Sequence, residues 1–355
     1  MDAYLIMMNE APLVTVAMPV YNGSLYLHQA IASILNQSFT NFEFIIIDDG
    51  STDNSVDIIN SIRATDPRIK FIARENRGFS NTVNEIIALA RGKWIARMDQ
   101  DDIALPNRFE RQLGWIELHT ADICGTWMEC FGVRGGGIRS HPVDDDSIKT
   151  GLLFGSVLAH PTVMLRASLA RDLKYDPQWD KAEDYELWTR AALAGLKMTN
   201  VPEVLLRYRQ HPTQISHVSA MKQRALSQLV RRGYWLESRI TKTLDPQGVQ
   251  ELLKLYEIKV DSINLKLVNA TFNDLLGCIS RKAQLVAMDF GKILYLKAAQ
   301  LDKNASKYWA EICRAHQYPY TFRMKLMMML SSRLNIADNP RLLLWAKSTY
   351  AFFSK

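Results

Sequence analysis

Short apolar runs alternate with helix-spaced segments along the N-terminal part of the chain. The apolar runs with few polar positions are Pro12–Pro19, Phe42–Ile47, Ile69–Ala73 and the run that starts at Trp94. Between them, apolar residues recur three and four positions apart, as at Leu27, Ile31 and Ile34, which is the spacing of a helix face. Runs too apolar to alternate are typical of parallel strands that are covered on both faces. The alternation of strands and helices therefore predicts an α/β fold with a doubly wound, mostly parallel sheet.

The pattern changes beyond Asp122. The apolar runs become shorter, with a hairpin-like turn over Gly132–Gly137, a strand over His160–Leu165 and a helix that opens at Glu183. From about residue 217 onward the spacing is helical: Ala225–Ile240, Val249–Ile258, Ile263–Leu276, Ala283–Ala299, Ala305–His316 and Phe322–Leu334. We therefore expect an α/β domain over residues 1–216 and a mainly α-helical region over residues 217–355.

Polar clusters follow the predicted strands. They are Tyr21-Asn22, Asp48-Asp49, Asn76-Arg77-Gly78 and Asp99-Gln100-Asp101. Ligands of doubly wound sheets bind outside the carboxyl ends of the strands, so the four clusters should converge on one crevice.

The cluster after the run that starts at Trp94 carries Asp99, Asp101 and Asp102 within four positions. Carboxylates this close repel one another unless a cation lies among them. Oxygen ligands suit Mg²⁺ or Mn²⁺, which take further ligands from substrate phosphates, so the cluster predicts a diphosphate-bearing substrate. The alternative is that Asp101 or Asp102 caps the helix announced by Pro106.

Composition and targeting signals indicate a folded cytoplasmic protein. The chain is 48% hydrophobic and 23% charged, and its four cysteines lack metal-ligand spacing, which argues for a reducing compartment. The segment Met1–Glu10 has no basic start and is a poor secretory signal. The uncharged run Gly151–Leu165 is too short to span a bilayer.

Charge is distributed unevenly along the chain. Residues 1–216 hold 21 basic against 27 acidic residues, whereas residues 217–355 hold 22 against 10. The end of the basic region, Arg341–Phe353, combines Lys and Arg with Trp, Tyr and Phe, as helices at a membrane interface do, although a docked core helix has the same pattern. We expect contact with an anionic membrane surface, and the helical region is also a candidate for homodimer formation.

Several segments together resemble the inverting family-two glycosyltransferases with the GT-A fold. Over residues 12 to 216 the resemblance rests on Met18-Pro19-Val20-Tyr21-Asn22, Ile34-Leu35-Asn36-Gln37-Ser38, Ile45-Ile46-Ile47-Asp48-Asp49-Gly50-Ser51-Thr52-Asp53, Asn76-Arg77-Gly78, Ala90-Arg91-Gly92, Ala96-Arg97-Met98-Asp99-Gln100-Asp101-Asp102, Pro106-Asn107-Arg108 and Glu183-Asp184. Each motif is weak alone, but their order and spacing are specific. The basic helical region lies outside the resemblance.

The resemblance implies a donor of the nucleotide diphosphate sugar class. It assigns to donor binding Pro19, Val20, Tyr21, Asn22, Asp49, Arg77 and Asp99. Tyr21 and Asp49 would hold the base, Asp99 would meet the ribose, and Asp101 would bind the Mn²⁺ or Mg²⁺ that bridges the diphosphate. His211 would complete the metal or diphosphate site, since neutral imidazole is an acceptable ligand. For Arg77 and His211, a plain exposed-loop role is the alternative.

The resemblance also implies that Asp184 is the general base. Inversion at the anomeric carbon needs one carboxylate to take the proton of the acceptor hydroxyl. The alternative is that Glu183 and Asp184 only place charge at a helix N-terminus. Trp188, one turn further along, either stacks on a sugar or belongs to the core, and His160 either orders the acceptor pocket or packs.

We therefore predict a metal-dependent inverting glycosyltransferase that uses a UDP-sugar and acts on a glycan acceptor in bacterial O-antigen or capsule synthesis. The resemblance implies a polyprenyl-diphosphate-linked acceptor, which places the enzyme on the inner face of the cytoplasmic membrane. A sugar nucleotidyltransferase usually needs a Gly-rich phosphate loop, which Tyr21-Asn22-Gly23 does not supply. A nucleic-acid-binding protein is disfavoured by the acidic N-terminal region, and a non-catalytic sugar-binding protein by the presence of Asp101 and Asp184.

Overall fold

The computed structural model describes residues 11–133, 136–211, 220–257 and 260–331. The chain forms two compact units, Met1–Asp145 with Ser156–Leu226, and Asp146–Gly155 with Ser227–Lys355. Because the second unit includes a short segment from within the N-terminal half, the units are not separated by a single cut. The boundary that we place between residues 216 and 217 stays a prediction.

The first unit contains the predicted parallel sheet. Its first four strands are β1 Val14–Val20, β2 Phe42–Asp48, β3 Ile69–Ala73 and β4 Trp94–Arg97. The helices α1 Ser24–Leu35, α2 Ser55–Arg63 and α3 Phe79–Leu89 connect them. The strands pair in parallel in the order β3-β2-β1-β4, so the order along the chain reverses beside β1. The mostly parallel sheet predicted from the apolar runs is confirmed.

Five further strands, three of them only two or three residues long, extend the sheet beyond β4. They are β5 Ile103–Ala104, β6 Ile123–Gly132, β7 Gly137–Arg139, β8 Met164–Arg166 and β9 Met198–Gln210. The intervening helices are α4 Arg108–His119, α5 Asp145–Leu152, α6 Ala167–Leu173 and α7 Glu183–Leu193. Strand β8 lies antiparallel between β4 and β6, and β5 pairs antiparallel with β9. The sheet is therefore mixed beyond its parallel half.

The strand predicted over His160–Leu165 is wrong in its first half. His160–Thr162 forms a 3₁₀ turn with Pro161 in its first positions, and only Met164–Arg166 is strand. The Thr162 hydroxyl donates to the Ala159 carbonyl at 2.7 Å, which stabilises the turn locally. As a result, His160 sits in a turn rather than on a strand.

Strands β1 and β2 are buried on both faces of the sheet. Every residue of β1 and β2 is buried, including the charged Glu43. The Glu43 carboxylate accepts hydrogen bonds from the Thr15 hydroxyl at 2.7 Å, the Arg91 backbone N–H at 2.6 Å and the Lys70 ammonium at 2.5 Å. These donors compensate the buried charge and tie β1, β3 and the approach to β4 to β2.

The second unit is helical. Its helices after α5 are α8 Ala220–Glu237, most of which belongs to this unit, α9 Pro246–Lys254, α10 Leu265–Cys278, α11 Arg281–Leu301, α12 Ala305–Ala315 and α13 Phe322–Ser331. Phe272, Tyr295 and Trp309 are buried and pack ring against ring in its core. The six predicted helices are confirmed as far as the chain is described, and none of the helices in those parts is long and apolar enough to cross a membrane. The segment Arg341–Phe353 lies outside the described residues.

Candidate active site

The loops after β1 and β2 are bonded to each other. The Asp49 backbone N–H donates to the Val20 carbonyl at 2.7 Å, and the Asn22 N–H donates to the Ser51 hydroxyl at 2.8 Å. The Asn22 side-chain oxygen accepts from the Thr52 N–H at 2.8 Å. These bonds hold Tyr21 and Asp49 at neighbouring strand ends, beside the point where the strand order reverses.

Asp49 is buried and anchors the third loop, Asn76-Arg77-Gly78. One carboxylate oxygen accepts the Arg77 N–H at 2.8 Å and also pairs with the Arg74 guanidinium. The other oxygen accepts the Gly78 N–H at 3.0 Å. Gly78 has a φ of 86°, which favours glycine at this position. An oxygen with one donor retains a lone pair, so the carboxylate keeps the capacity to accept one ligand N–H.

The Gln100 side chain joins the loop of Tyr21 to the acidic cluster. Its Oε1 accepts the Tyr21 N–H at 2.9 Å, and its Nε2 donates to the Tyr21 carbonyl at 3.0 Å. The Tyr21 side chain itself stays 50% exposed, which leaves its ring open for stacking. A Cβ at position 23 would lie 2.5 Å from Gln100 Oε1, so Gly23 is needed for this approach. Sequence reasoning missed the role of Gln100, although its position between Asp99 and Asp101 was a signal.

Asp99, Asp101 and Asp102 each offer a carboxylate oxygen, and these oxygens lie within 4.8 Å of one another. Burial and the neighbouring Asp99 carboxylate raise the pKa of Asp101 above its ordinary value. His211 Nε2 lies 2.9 Å from Asp101 Oδ2. Helix α4 has Asn107 at its N-cap, so the helix-cap alternative for Asp101 and Asp102 is wrong.

Asp102 lies at the base of this cluster and is completely buried. Its Oδ1 accepts the Arg209 N–H at 2.8 Å, while Oδ2 has no hydrogen-bond partner within the described ranges. Burial and repulsion from Asp99 and Asp101 raise its pKa well above the ordinary value. Arg209 also donates to the Asp101 carbonyl at 2.8 Å, so strand β9 fixes the cluster from its end.

The cluster fits a hard divalent cation. It offers converging carboxylate oxygens, one of them buried without a hydrogen bond, and an adjacent imidazole nitrogen. Mg²⁺ and Mn²⁺ accept this donor set and keep other positions open for phosphate and water. A cation would also relieve the repulsion that raises the pKa values of these carboxyl groups.

Arg97 lies directly before the cluster at the end of β4. Its side chain is only 3% exposed and pairs with the Asp99 carboxylate at 2.6 Å. The guanidinium also lies over the Phe79 ring, 5.1 Å from its centroid. Arg97 is therefore a nearly buried cation among several acidic side chains. Nothing in the order of residues around Arg97 indicates that its side chain points inward.

Asp184 lies in the first turn of α7, and its carboxylate accepts the Tyr185 N–H at 2.7 Å. Burial and the adjacent Glu183 charge raise its pKa to about 7. Burial raises the pKa of Tyr175, and the charges of Asp184 and Asp99 raise it further. The helix start and the acidic cluster thus act on the same buried phenol.

The structure also shows the surroundings of the remaining candidate residues. Trp188 is completely buried and packs on His160 with ring centroids 6.1 Å apart, so it belongs to the core. His160 donates to or accepts from the Tyr175 hydroxyl at 2.9 Å, and burial lowers its pKa far enough to keep it neutral. The Arg77 side chain is 64% exposed and reaches Glu85 only at 3.9 Å. Pro19 and Val20 are buried within β1.

Comparison with known proteins supplies the family. The family model described as glycosyl transferase family 2 matches residues 15–169. An uncharacterized glycosyltransferase of Haemophilus influenzae is 31% identical over 282 residues, which is 74% of this chain and 85% of the relative. The Escherichia coli O-antigen biosynthesis glycosyltransferase WbnJ is 30% identical over 206 residues, or 56% of this chain and 80% of the relative.

Solved structures agree with the fold. S. aureus TarS 1-349 in complex with UDP-GlcNAc has a TM-score of 0.55 at 16% identity and covers 87% of this chain and 93% of its own. The mannosyltransferase PcManGT from Pyrobaculum calidifontis, in complex with GDP-Man and Mn²⁺, has a TM-score of 0.52 at 13% identity and covers 97% and 85%. With the sheet order and the sequence relatives, these matches lead to one conclusion: the chain belongs to glycosyltransferase family 2 and has the GT-A fold.

Proposed function

We propose that this glycosyltransferase uses a divalent cation to bind a nucleotide diphosphate sugar, a UDP-sugar, and transfers the sugar with inversion to a hydroxyl of a glycan acceptor. The observation that carries the proposal is the cluster of Asp99, Asp101 and Asp102 at the end of β4, with His211 against Asp101. These residues would hold Mn²⁺ or Mg²⁺, which would neutralise charge on the diphosphate of the donor.

Donor binding would use the strand-end loops. The half-exposed Tyr21 ring offers a stacking surface for the base, and Asp49 retains the capacity to accept the imide N–H of a pyrimidine. Asp99 would accept a ribose hydroxyl, and Asp101 with His211 would hold Mn²⁺ or Mg²⁺. When bound, the cation supplies charge neutralisation for the leaving nucleoside diphosphate. The UDP-GlcNAc of the TarS complex and the GDP-Man and Mn²⁺ of the PcManGT complex are in keeping with this donor class.

Asp184 would act as the general base. Its carboxylate takes the proton of the acceptor hydroxyl while that oxygen bonds to the anomeric carbon and the bond from that carbon to the diphosphate oxygen breaks. A pKa of about 7 is close to the operating pH, which is the most effective range for proton transfer. Attack in line with the departing group inverts the anomeric configuration.

The acceptor class follows from the named relatives and from the charge of the helical region. Relatives named for O-antigen biosynthesis and chondroitin synthesis support a role in polysaccharide assembly. We propose a polyprenyl-diphosphate-linked acceptor in O-antigen or capsule synthesis, reached from the cytoplasmic face of the membrane. The excess of basic residues after residue 216 supports contact with an anionic membrane surface.

Titration calorimetry with UDP-glucose, UDP-galactose, their N-acetyl forms and GDP-mannose tests donor binding. We expect at least one donor to bind in Mn²⁺ and to lose at least tenfold in affinity in EDTA or in Asp101→Ala. Asp184→Asn is the control, because the base should contribute little to ground-state donor affinity. Equal binding with and without the metal would contradict the proposed metal role.

A further inference from the structure

Arg97 carries buried hydrogen-bond donors for which the described residues supply no acceptor. Its Nη2 pairs with Asp99, but Nε and Nη1 are buried and have no hydrogen-bond partner within the part of the chain that the structure describes. A buried, charged donor without an acceptor is costly, by more than a neutral one. A protein retains such a group where a ligand supplies the acceptor or where strain serves function.

A continuous set of contacts leads from Arg97 to the helix that carries Asp184. The Arg97 guanidinium lies over Phe79, and Phe79 meets His160 with ring centroids 5.8 Å apart. His160 in turn packs on Trp188, which belongs to α7. We refer to Arg97, Phe79 and His160 as the bridging wall. It connects Asp99, at the donor end, to the helix that begins with Glu183 and Asp184.

The position of the bridging wall indicates which part of the donor could contact it. Under the proposed function, the transferred sugar must lie between the diphosphate held at Asp101 and the base Asp184. The contacts of the bridging wall lead from Asp99, beside the diphosphate end, to α7, which carries Asp184, and the wall contains an aromatic ring, a neutral imidazole and a guanidinium. Aromatic faces and hydrogen-bond donors together are the usual means of binding a neutral sugar, because its ring has apolar patches edged by hydroxyl groups.

We propose that Arg97 is a donor-binding residue whose Nε and Nη1 hydrogens bond hydroxyl oxygens of the transferred sugar, with Phe79 and His160 completing the sugar subsite. This inference rests on the proposed function. Nε and Nη1 point along different edges of the guanidinium plane, so they suit separate hydroxyl oxygens rather than the two oxygens of one carboxylate. The subsite therefore offers hydrogen-bond donors to two separate hydroxyl oxygens of the transferred sugar.

The test compares each nucleotide sugar with its own nucleoside diphosphate, in Mn²⁺, on the full chain. For Arg97→Lys we expect UDP or GDP to bind within about twofold of the wild type and the matching nucleotide sugar to bind at least tenfold more weakly. Arg166→Lys is the matched control, since Arg166 also pairs with an aspartate, Asp122 at 3.2 Å, and lies over a ring, that of Trp94 at 5.0 Å. It should leave both affinities unchanged.

Equal weakening of nucleoside diphosphate and nucleotide sugar in Arg97→Lys would overturn the inference, because Arg97 would then only orient Asp99 or support the fold. Unchanged affinity for both would overturn it as well. If Arg97→Lys does not fold, the test instead measures how tightly the wild type binds deoxygenated analogues of its donor. At least one deoxy-sugar analogue should then bind at least tenfold more weakly than the parent, and equal binding by all of them contradicts the inference.

Failure of the inference and failure of the proposed function are distinguishable. A wild type that binds no donor in Mn²⁺ refutes the proposed donor class, and the inference with it. The inference alone is refuted by a different result. In that case the wild type binds a donor only with metal, and Arg97→Lys keeps the wild-type ratio of nucleotide-sugar affinity to nucleoside-diphosphate affinity.

Discussion

At the residue scale, function and stability oppose each other at Asp184. Burial and Glu183 raise the pKa of its carboxyl from 3.8 to about 7, which suits proton acceptance but makes the ionised form unfavourable in the folded state. A raised pKa means that the folded chain binds the proton more tightly than the unfolded chain. Its contribution to stability is therefore full below about pH 4 and is lost as pH rises through 7.

Asp184→Asn should separate the two effects. Asn keeps an oxygen for the Tyr185 N–H but cannot ionise, so we expect activity to fall by at least about 10³-fold and the free energy of unfolding at pH 8 to rise by about 1–3 kcal/mol. Urea unfolding at about pH 5 and pH 8 measures the second effect, which should shrink at the lower pH. A variant that is equally destabilised at both pH values would contradict the assigned pKa.

The pH profile of the wild type follows from the same group. Because Asp184 must be ionised to accept a proton, kcat/KM should fall tenfold per unit below an apparent pKa of about 7. Initial rates from about pH 5.5 to 9 at saturating Mn²⁺ check this. A profile that stays flat down to pH 5.5 would remove Asp184 from the role of base.

At the scale of elements, β2 depends on one buried carboxylate. Burial alone would raise the pKa of Glu43, but hydrogen bonds from Lys70, Arg91 and Thr15 outweigh it and lower the pKa below 4.5. The stabilisation is thus present above the unfolded pKa and is lost as pH falls through the lowered folded value. Glu43 therefore stabilises the parallel half of the sheet at neutral pH.

Glu43→Gln should lower the free energy of unfolding at pH 7 by about 1–3 kcal/mol. A neutral amide weakens the hydrogen bonds that the carboxylate accepts, and its NH₂ group cannot accept a hydrogen bond from the donor that faces it. The exposed Glu117→Gln on α4 is the control and should change it by less than about 0.5 kcal/mol. Denaturant unfolding curves of both variants give the comparison. A loss for Glu43→Gln no larger than for the control would contradict the role of these bonds.

The elements also mark how far sequence reasoning extends. The apolar runs predicted β1 to β4, and strand-end placement predicted that the clusters with Asp49 and Asp99 converge on one crevice; both follow strands that flank β1. The two hydrogen bonds between Gln100 and Tyr21, which are 79 residues apart, could not be predicted, because bonds between loops leave no periodic pattern in the sequence. The inward orientation of Arg97 was missed because tertiary packing decides it. The turn at His160 was missed because the run was interpreted as a strand, although Pro161 and the bond from the Thr162 hydroxyl to the Ala159 carbonyl favour a turn.

At the scale of the whole molecule, the chain joins an acidic glycosyltransferase unit to basic helices. An anionic surface attracts basic segments by about 1 kcal/mol per well-placed Lys or Arg. Removal of residues 335–355, which lie outside the described range, should therefore reduce sedimentation with vesicles containing anionic lipid by at least about threefold. Vesicles of neutral lipid are the control, and unchanged sedimentation with anionic vesicles would contradict a membrane role for this segment.

Metal-dependent turnover should need both Asp101 and Asp184. Release of nucleoside diphosphate from the donor that binds, with a lipid-linked glycan acceptor, in Mn²⁺ and in EDTA, measures this requirement. We predict release by the wild type only with metal, and losses of at least about 10²-fold in Asp101→Ala and 10³-fold in Asp184→Asn. Undiminished release in EDTA would contradict the proposed metal requirement, and undiminished release by Asp184→Asn would contradict the proposed base.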